Sequence, residues 1–203
     1  MAINNYTNLS AAIANWLARS DLTSAIDDFI DLAETRIYSE LRLRFMEEAY
    51  SVSTATTAAL PTDFLEWKYL YTDGTPTQWI DIKPAQWIYQ HYEIRSAEGK
   101  PQFAAMDDDT LIFGPYPDGT YTIKGTYYMK QTALSASNET NWLTDNAPDL
   151  ILFGALLESA PYIGDDPRAG KWENKYDKAI ARVKLQQKHE DYPRHSQLRT
   201  TTG

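Results

Sequence analysis

The stretch Pro148-Asp149-Leu150-Ile151-Leu152-Phe153-Gly154-Ala155-Leu156-Leu157 decides how the chain folds. From Leu150 to Leu157 no polar side chain interrupts it. A helix without a polar face is normally buried at the centre of a bundle. Pro148 suits a first helical turn, where a missing N–H is harmless, and Gly164 ends the segment. A central helix of this kind needs partner helices, and the flanking sequence supplies three.

Upstream, Thr7 reads as an N-cap for a helix on which Leu9, Ile13, Trp16 and Leu17 recur at helical spacing. Ser20-Asp21-Leu22-Thr23 interrupts it. A second helix then carries one long stripe of Ile26, Phe29, Ile30, Ala33, Ile37 and Leu41. Asp27 and Asp28 fall in its expected first turn, Arg42 and Arg44 near its end, and the helix dipole favours each sign there. Downstream, Asp166-Pro167 offers an N-cap and first-position proline for a last helix, with Trp172, Tyr176, Ala179, Ile180 and Val183 as its stripe.

Between these pairs the period drops to two. Trp67, Tyr69 and Tyr71 alternate with Lys68 and Leu70 as far as the Asp73-Gly74 turn, and Trp79-Ile80-Asp81-Ile82 returns. Pro84 opens a turn or two of helix through Tyr89. A second hairpin turns at Asp107-Asp108-Asp109, and Pro117-Asp118-Gly119 precedes a strand of Tyr121, Ile123, Gly125, Tyr127 and Met129. The expected fold class is α+β, mainly a helical bundle of four helices, two N-terminal and two C-terminal, with an inserted β-rich subdomain. Residues 1–50 and 144–191 would form the bundle, 51–143 the β-rich insertion with hairpins and a short helix, and 192–203 a flexible tail.

Composition narrows the function. The chain has 203 residues, 43% of them apolar, and no cysteine, which removes disulfides, thiolate zinc sites and thiol nucleophiles. The longest apolar run falls far short of the roughly 18 residues a membrane span needs. Met1-Ala2-Ile3-Asn4-Asn5 has neither the basic nor the apolar region of a signal peptide, so a soluble, intracellular or lysis-released protein is expected. Net charge is −9, but it is unevenly placed: −4 over residues 1–50, −5 over 51–143, −5 over 144–166 and +5 over 167–203. An acidic body with a basic end points to a terminus that meets an acidic partner.

Catalytic patterns fail. His91, His189 and His195 lack metal-ligand spacing, and Gly114 with Gly119 has phosphate-loop spacing but Thr120-Tyr121 in place of Lys-Ser/Thr. Asp107-Asp108-Asp109 lacks the following glycine and oxygen donors of a calcium loop and reads as turn acids. Glu47-Glu48 and Asp165-Asp166 are adjacent pairs whose members point in different directions, so neither is a ready-made acid/base dyad. No catalytic residue, metal or cofactor is expected.

The last helix carries the sharper signal. At about 100° per residue, Lys171, Lys175, Lys178 and Arg182 fall in one narrow stripe that His189 continues, and no acid of that helix shares it. Glu173 and Asp177 lie on another face with Lys184 and Lys188. With Arg194, Leu198 and Arg199 in the tail, this stripe is the expected partner-binding surface; the competing reading is a solvated face with local ion pairs. A different class of function, a carbohydrate-binding module or cell-wall glycosidase, would stack sugars on Trp67, Trp79, Trp87 and Tyr89 of the insertion.

The order of short motifs resembles the head-to-tail adaptor proteins of tailed bacteriophages, especially short-tailed ones. It runs through Trp16-Leu17-Ala18-Arg19-Ser20-Asp21-Leu22, Asp28-Phe29-Ile30-Asp31-Leu32-Ala33-Glu34 and Leu41-Arg42-Leu43-Arg44. It resumes at Leu60-Pro61-Thr62-Asp63-Phe64, Gly99-Lys100-Pro101 and Pro115-Tyr116-Pro117-Asp118-Gly119-Thr120-Tyr121. Asn141-Trp142-Leu143, Pro148-Asp149-Leu150 and the Glu158-to-Tyr176 stretch with Asp166 and Trp172 complete it; the tail after Tyr192 shows no such pattern. The resemblance implies a virion protein assembled in the host cytoplasm, usually as a twelve-subunit ring at the head–tail junction. Its partners would be the portal protein, the tail nozzle or tube, and further copies of itself, with DNA passing through the channel without sequence-specific binding and no membrane involved. It also implies a C-terminal segment that reaches into the portal.

Overall fold

The computed structural model describes residues 3–19, 21–94, 98–164 and 166–191, without the side chains of 189–191. In chain order its elements are α1 (Tyr6–Leu17), α2 (Thr23–Glu40), β1 (Glu47–Thr54), β2 (Ala58–Ala59), β3 (Phe64–Thr72), β4 (Gln78–Ile82), α3 (Ala85–His91), β5 (Phe103–Asp107), β6 (Thr110–Gly114), β7 (Tyr121–Met129), α4 (Trp142–Asn146), α5 (Pro148–Ile163) and α6 (Ala169–Asp191). They divide into a helical unit, Met1–Phe45 with Thr132–Gly203, and a β unit, Met46–Gln131.

In the helical unit α5 is central, packing against α1, α2, α4 and α6. Leu150, Ile151, Leu152, Ala155 and Leu156 are buried along it. Gly154 allows the close approach, since a Cβ there would stand 3.2 Å from Ala33 Cβ of α2 and 3.5 Å from the Tyr176 ring of α6. The polar ends of α5 are tied down: Glu158 accepts from Arg36 of α2 at 2.9 Å, and Asp149 from Arg182 of α6. α2 begins at Thr23, so Asp27 and Asp28 fall in its second turn rather than its first. Arg42 lies past its end, where Nη1 donates to the carbonyls of Tyr38 and Leu41, the groups a helix C-terminus leaves open. α1 is capped by Asn5, not Thr7; the Asn5 side chain accepts from Asn8 N–H at 2.8 Å.

The β unit is one seven-stranded sheet in the order β1-β7-β3-β4-β5-β6-β2. All pairs are antiparallel except β4 with β5, which α3 connects as a crossover. Every strand contributes to a single core: Tyr50, Ala58, Trp67, Leu70, Ile80, Ala104, Leu111, Phe113, Ile123 and Tyr127. Such a shared interior requires the sheet to curl, and Tyr50 Oη of β1 donates to the Ala59 carbonyl of β2 at 3.1 Å, joining the two ends of the strand order. The sheet is thus a nearly closed barrel. Gly125 of β7 faces Leu70 of β3, and a Cβ there would meet the Tyr69 carbonyl oxygen at 2.3 Å.

This architecture corrects the expectation of a mainly helical four-helix bundle. Among the described residues there are six helices and a seven-stranded, barrel-like sheet with a core of its own. Two physical features were hidden. β1 reads Glu47-Glu48-Ala49-Tyr50-Ser51-Val52-Ser53-Thr54, and only Tyr50 and Val52 betray its period because an edge strand is largely solvated. α4 is too short for periodicity and is set instead by a capping box, in which the Asn141 side chain accepts from Thr144 N–H and Thr144 Oγ1 accepts from Asn141 N–H.

Candidate functional site

The apolar stripe of α6 is buried as its spacing predicts: Trp172, Tyr176, Ala179, Ile180 and Val183 all lie in the helical core. That orientation leaves Lys171, Lys175, Lys178 and Arg182 on the exposed side. The four cations are not equivalent. Arg182 makes a two-pronged pair with Asp149 in the first turn of α5, at 2.6 and 2.8 Å. Partial burial pushes the Asp149 carboxyl up, but the Arg182 hydrogen bonds and charge outweigh it and hold the group below the ordinary range. An acid absent from α6 itself therefore enters the stripe from a neighbouring helix. Among the described residues, Lys171, Lys175 and Lys178 have no carboxylate within salt-bridge distance. Arg194, Leu198 and Arg199 lie outside the described residues, as does His195.

Lys171 and Lys175 border a groove of about 260 Å³ whose other walls are Trp16, Phe153, Arg168 and Trp172. Trp16 counted as a core residue by spacing, yet it is 49% exposed, because Leu9, Ile13 and Leu17 already fill the buried side of α1. Its ring meets Phe153 edge-on, with centroids 5.5 Å apart. Arg168 is fixed from three directions. Its Nε and Nη2 donate to Asp166 at 3.0 and 2.7 Å, its Nη1 donates to the Trp16 carbonyl at 2.9 Å, and its Cζ lies 5.0 Å from the Trp172 ring centroid. The Asp166 side chain is only 5% exposed, and hydrogen bonds from Arg168 hold its carboxyl below the ordinary range. Neither Arg168 nor Phe153 stood out by sequence. The signal for Arg168 was its position two residues after the helix-capping Asp166 and three before Lys171.

A second groove of about 270 Å³ lies farther along α6, between Leu43, Phe45, Trp142 and Val183. There the Phe45 and Trp142 rings stack nearly parallel, 4.7 Å apart.

The aromatic residues expected for sugar stacking do not form a platform. Trp67 is 7% exposed, packed among Tyr50, Phe64 and Tyr127. Trp87 stacks on His91, with Phe103 also against it. Trp79 is 64% exposed but stands edge-on to Tyr69 and Tyr71, and Tyr89 donates to Asp107 at 2.6 Å. Among the described residues no group of three or more His, Asp or Glu is arranged to hold a metal ion, and no helix is long and apolar enough to cross a membrane.

The SU10 adaptor protein model matches residues 4–201. The chain belongs to the SU10 adaptor protein family. This is a family of phage head-to-tail adaptors, so the adaptor is a structural component of a virion. The match spans both units and explains why motifs from α1 to α6 resemble that group in order. No curated protein sequence matches the adaptor.

Proposed function

We propose that the adaptor forms a closed ring, of twelve copies, between the portal and the tail nozzle or tube, with the exposed cationic face of α6 turned to the portal. The observation that carries this reading is the row Lys171, Lys175 and Lys178: among the described residues these exposed ammonium groups have no carboxylate partner within their own chain. Three like charges side by side are retained at a cost unless an acidic surface answers them. The tail residues Arg194, Leu198 and Arg199 extend the same contact. The ring needs a heterologous interface that closes on itself.

The acids of the −14 body over residues 1–166 line the DNA passage in this proposal. Each Lys or Arg contact to phosphate would add salt-dependent affinity and slow the passage of DNA. Assembly takes place in the host cytoplasm before the tail is completed.

The test mixes the adaptor with the portal protein of the same virion and images the product. A ring docked on the portal is expected, and reversal of Lys171, Lys175 and Lys178 to Glu should weaken co-sedimentation at least about tenfold, as loss of several charge pairs does. Absence of any complex with the wild-type chain would overturn the reading, and a lumen lined with lysine would remove the part concerning DNA.

A further inference from the structure

The groove at the start of α6 has a more specific chemistry than an exposed row of lysines. We propose that it takes an acidic peptide segment carrying one large apolar side chain, the aromatic or aliphatic anchor resting on the floor that Trp16 and Phe153 form together while its acids meet Lys171 and Lys175. This rests on the adaptor reading above and names what the partner presents to that face.

Three observations choose this occupant. The floor is apolar and aromatic, and its volume of about 260 Å³ fits a single side chain rather than a helix or a strand. The rim is cationic and in excess. Asp166 is already engaged by Arg168, so Lys171 and Lys175 face the groove without a carboxylate within salt-bridge distance among the described residues. The walls are set in advance: Arg168 is held by Asp166, by the Trp16 carbonyl and over the Trp172 ring, so little ordering is needed on binding. An anchor in an apolar pocket ringed by charges is the arrangement that concentrates binding energy in a few side chains.

A nucleic acid strand would use the same residue types, basic and aromatic, but with open ring faces for base stacking. Here the Trp172 face is covered by Arg168, and Trp16 is engaged edge-on by Phe153.

The probe is a fluorescent synthetic peptide of about ten residues, with one central Phe among Asp and Glu, read by polarisation against the full-length chain. Saturable binding is expected, weakened at least about fivefold by Phe→Ala in the peptide or by Lys171→Glu with Lys175→Glu in the protein. A peptide with Lys in place of its acids should bind the reversed protein, which shows that the variant remains folded. The acidic peptide should also compete with portal for the adaptor. No binding of the acidic peptide, or tighter binding of oligothymidine, overturns the proposal. If portal docks and the Lys171→Glu, Lys175→Glu variant docks equally well, the adaptor reading stands and the groove assignment fails. If the peptide binds but portal never does, the groove chemistry stands and the portal contact fails.

Discussion

Glu34 of α2 accepts a hydrogen bond from the backbone N–H of Leu134, 2.8 Å away and 100 residues later in the chain. Its other oxygen accepts from Asn141 Nδ2 at 2.6 Å, so one buried carboxylate holds the segment that leads into α4 at two points, Leu134 and Asn141. An amide can accept only one of these bonds and would turn an N–H toward the other donor. Glu34→Gln should therefore cost about 1–3 kcal/mol, the penalty for a buried donor left unpaired. Glu34→Ala should cost more and expose the segment to proteolysis. Urea denaturation of the two variants measures this, and an unchanged midpoint for Glu34→Ala contradicts it.

The same carboxyl gives the helical unit a pH dependence of definite sign. Burial pushes Glu34 above the ordinary glutamate range, partly offset by its two hydrogen bonds. The folded chain then keeps this proton to higher pH than the unfolded chain, so stability falls as pH rises from the ordinary value through the raised one. Asp149 acts oppositely: held below its ordinary range beside Arg182, it contributes above the unfolded value, and that contribution is lost as pH falls through the folded one. Stability should peak in mildly acidic solution. Glu34→Gln should flatten the neutral limb while the acid limb persists, as read from denaturation midpoints across pH.

Gly125 of β7 packs against β3 with no room for a side chain. With the Tyr69 carbonyl oxygen 2.3 Å from an added Cβ, even alanine forces the two strands apart. Gly125→Ala should cost about 1–3 kcal/mol, the usual range for overpacking, and Gly125→Val more. Calorimetry on both variants tests the ordering.

Removal of residues 192–203 should weaken docking to portal without lowering the melting temperature, because the α6 side chains that fill the helical core, Trp172, Tyr176, Ala179, Ile180 and Val183, all precede them. Sedimentation of the truncated chain with portal decides the first half and calorimetry the second. A truncated chain that docks as well as the full one places the whole contact on the face of α6.

The long helices were legible because a buried stripe repeats at a fixed period. Ile26, Phe29, Ile30, Ala33 and Ile37 announce α2, and the apolar run of α5 announces its central place. The short elements were not, because tertiary contacts rather than repetition form them. α4 depends on the Asn141 capping box and on Glu34, and β1 depends on pairing with β7 along all eight of its residues. At the groove, Lys171 and Lys175 could be read from spacing alone. Trp16 could not, since helical spacing cannot tell that Leu9, Ile13 and Leu17 already saturate the buried side of α1. Nor does spacing show that Asp149 would reach across from α5 to engage Arg182.

Arg168 also determines how the start of α6 carries a mechanical load. Of its three attachments, those to Asp166 and to the Trp172 ring lie within its own segment, and the Nη1 bond to the Trp16 carbonyl is the one that crosses to the last turn of α1. The two local contacts keep the guanidinium aligned for that crossing bond. The groove beside Arg168 therefore sits where α6 is tied to α1, and a pull transmitted there by a docked neighbour is handed on to a second helix through Arg168.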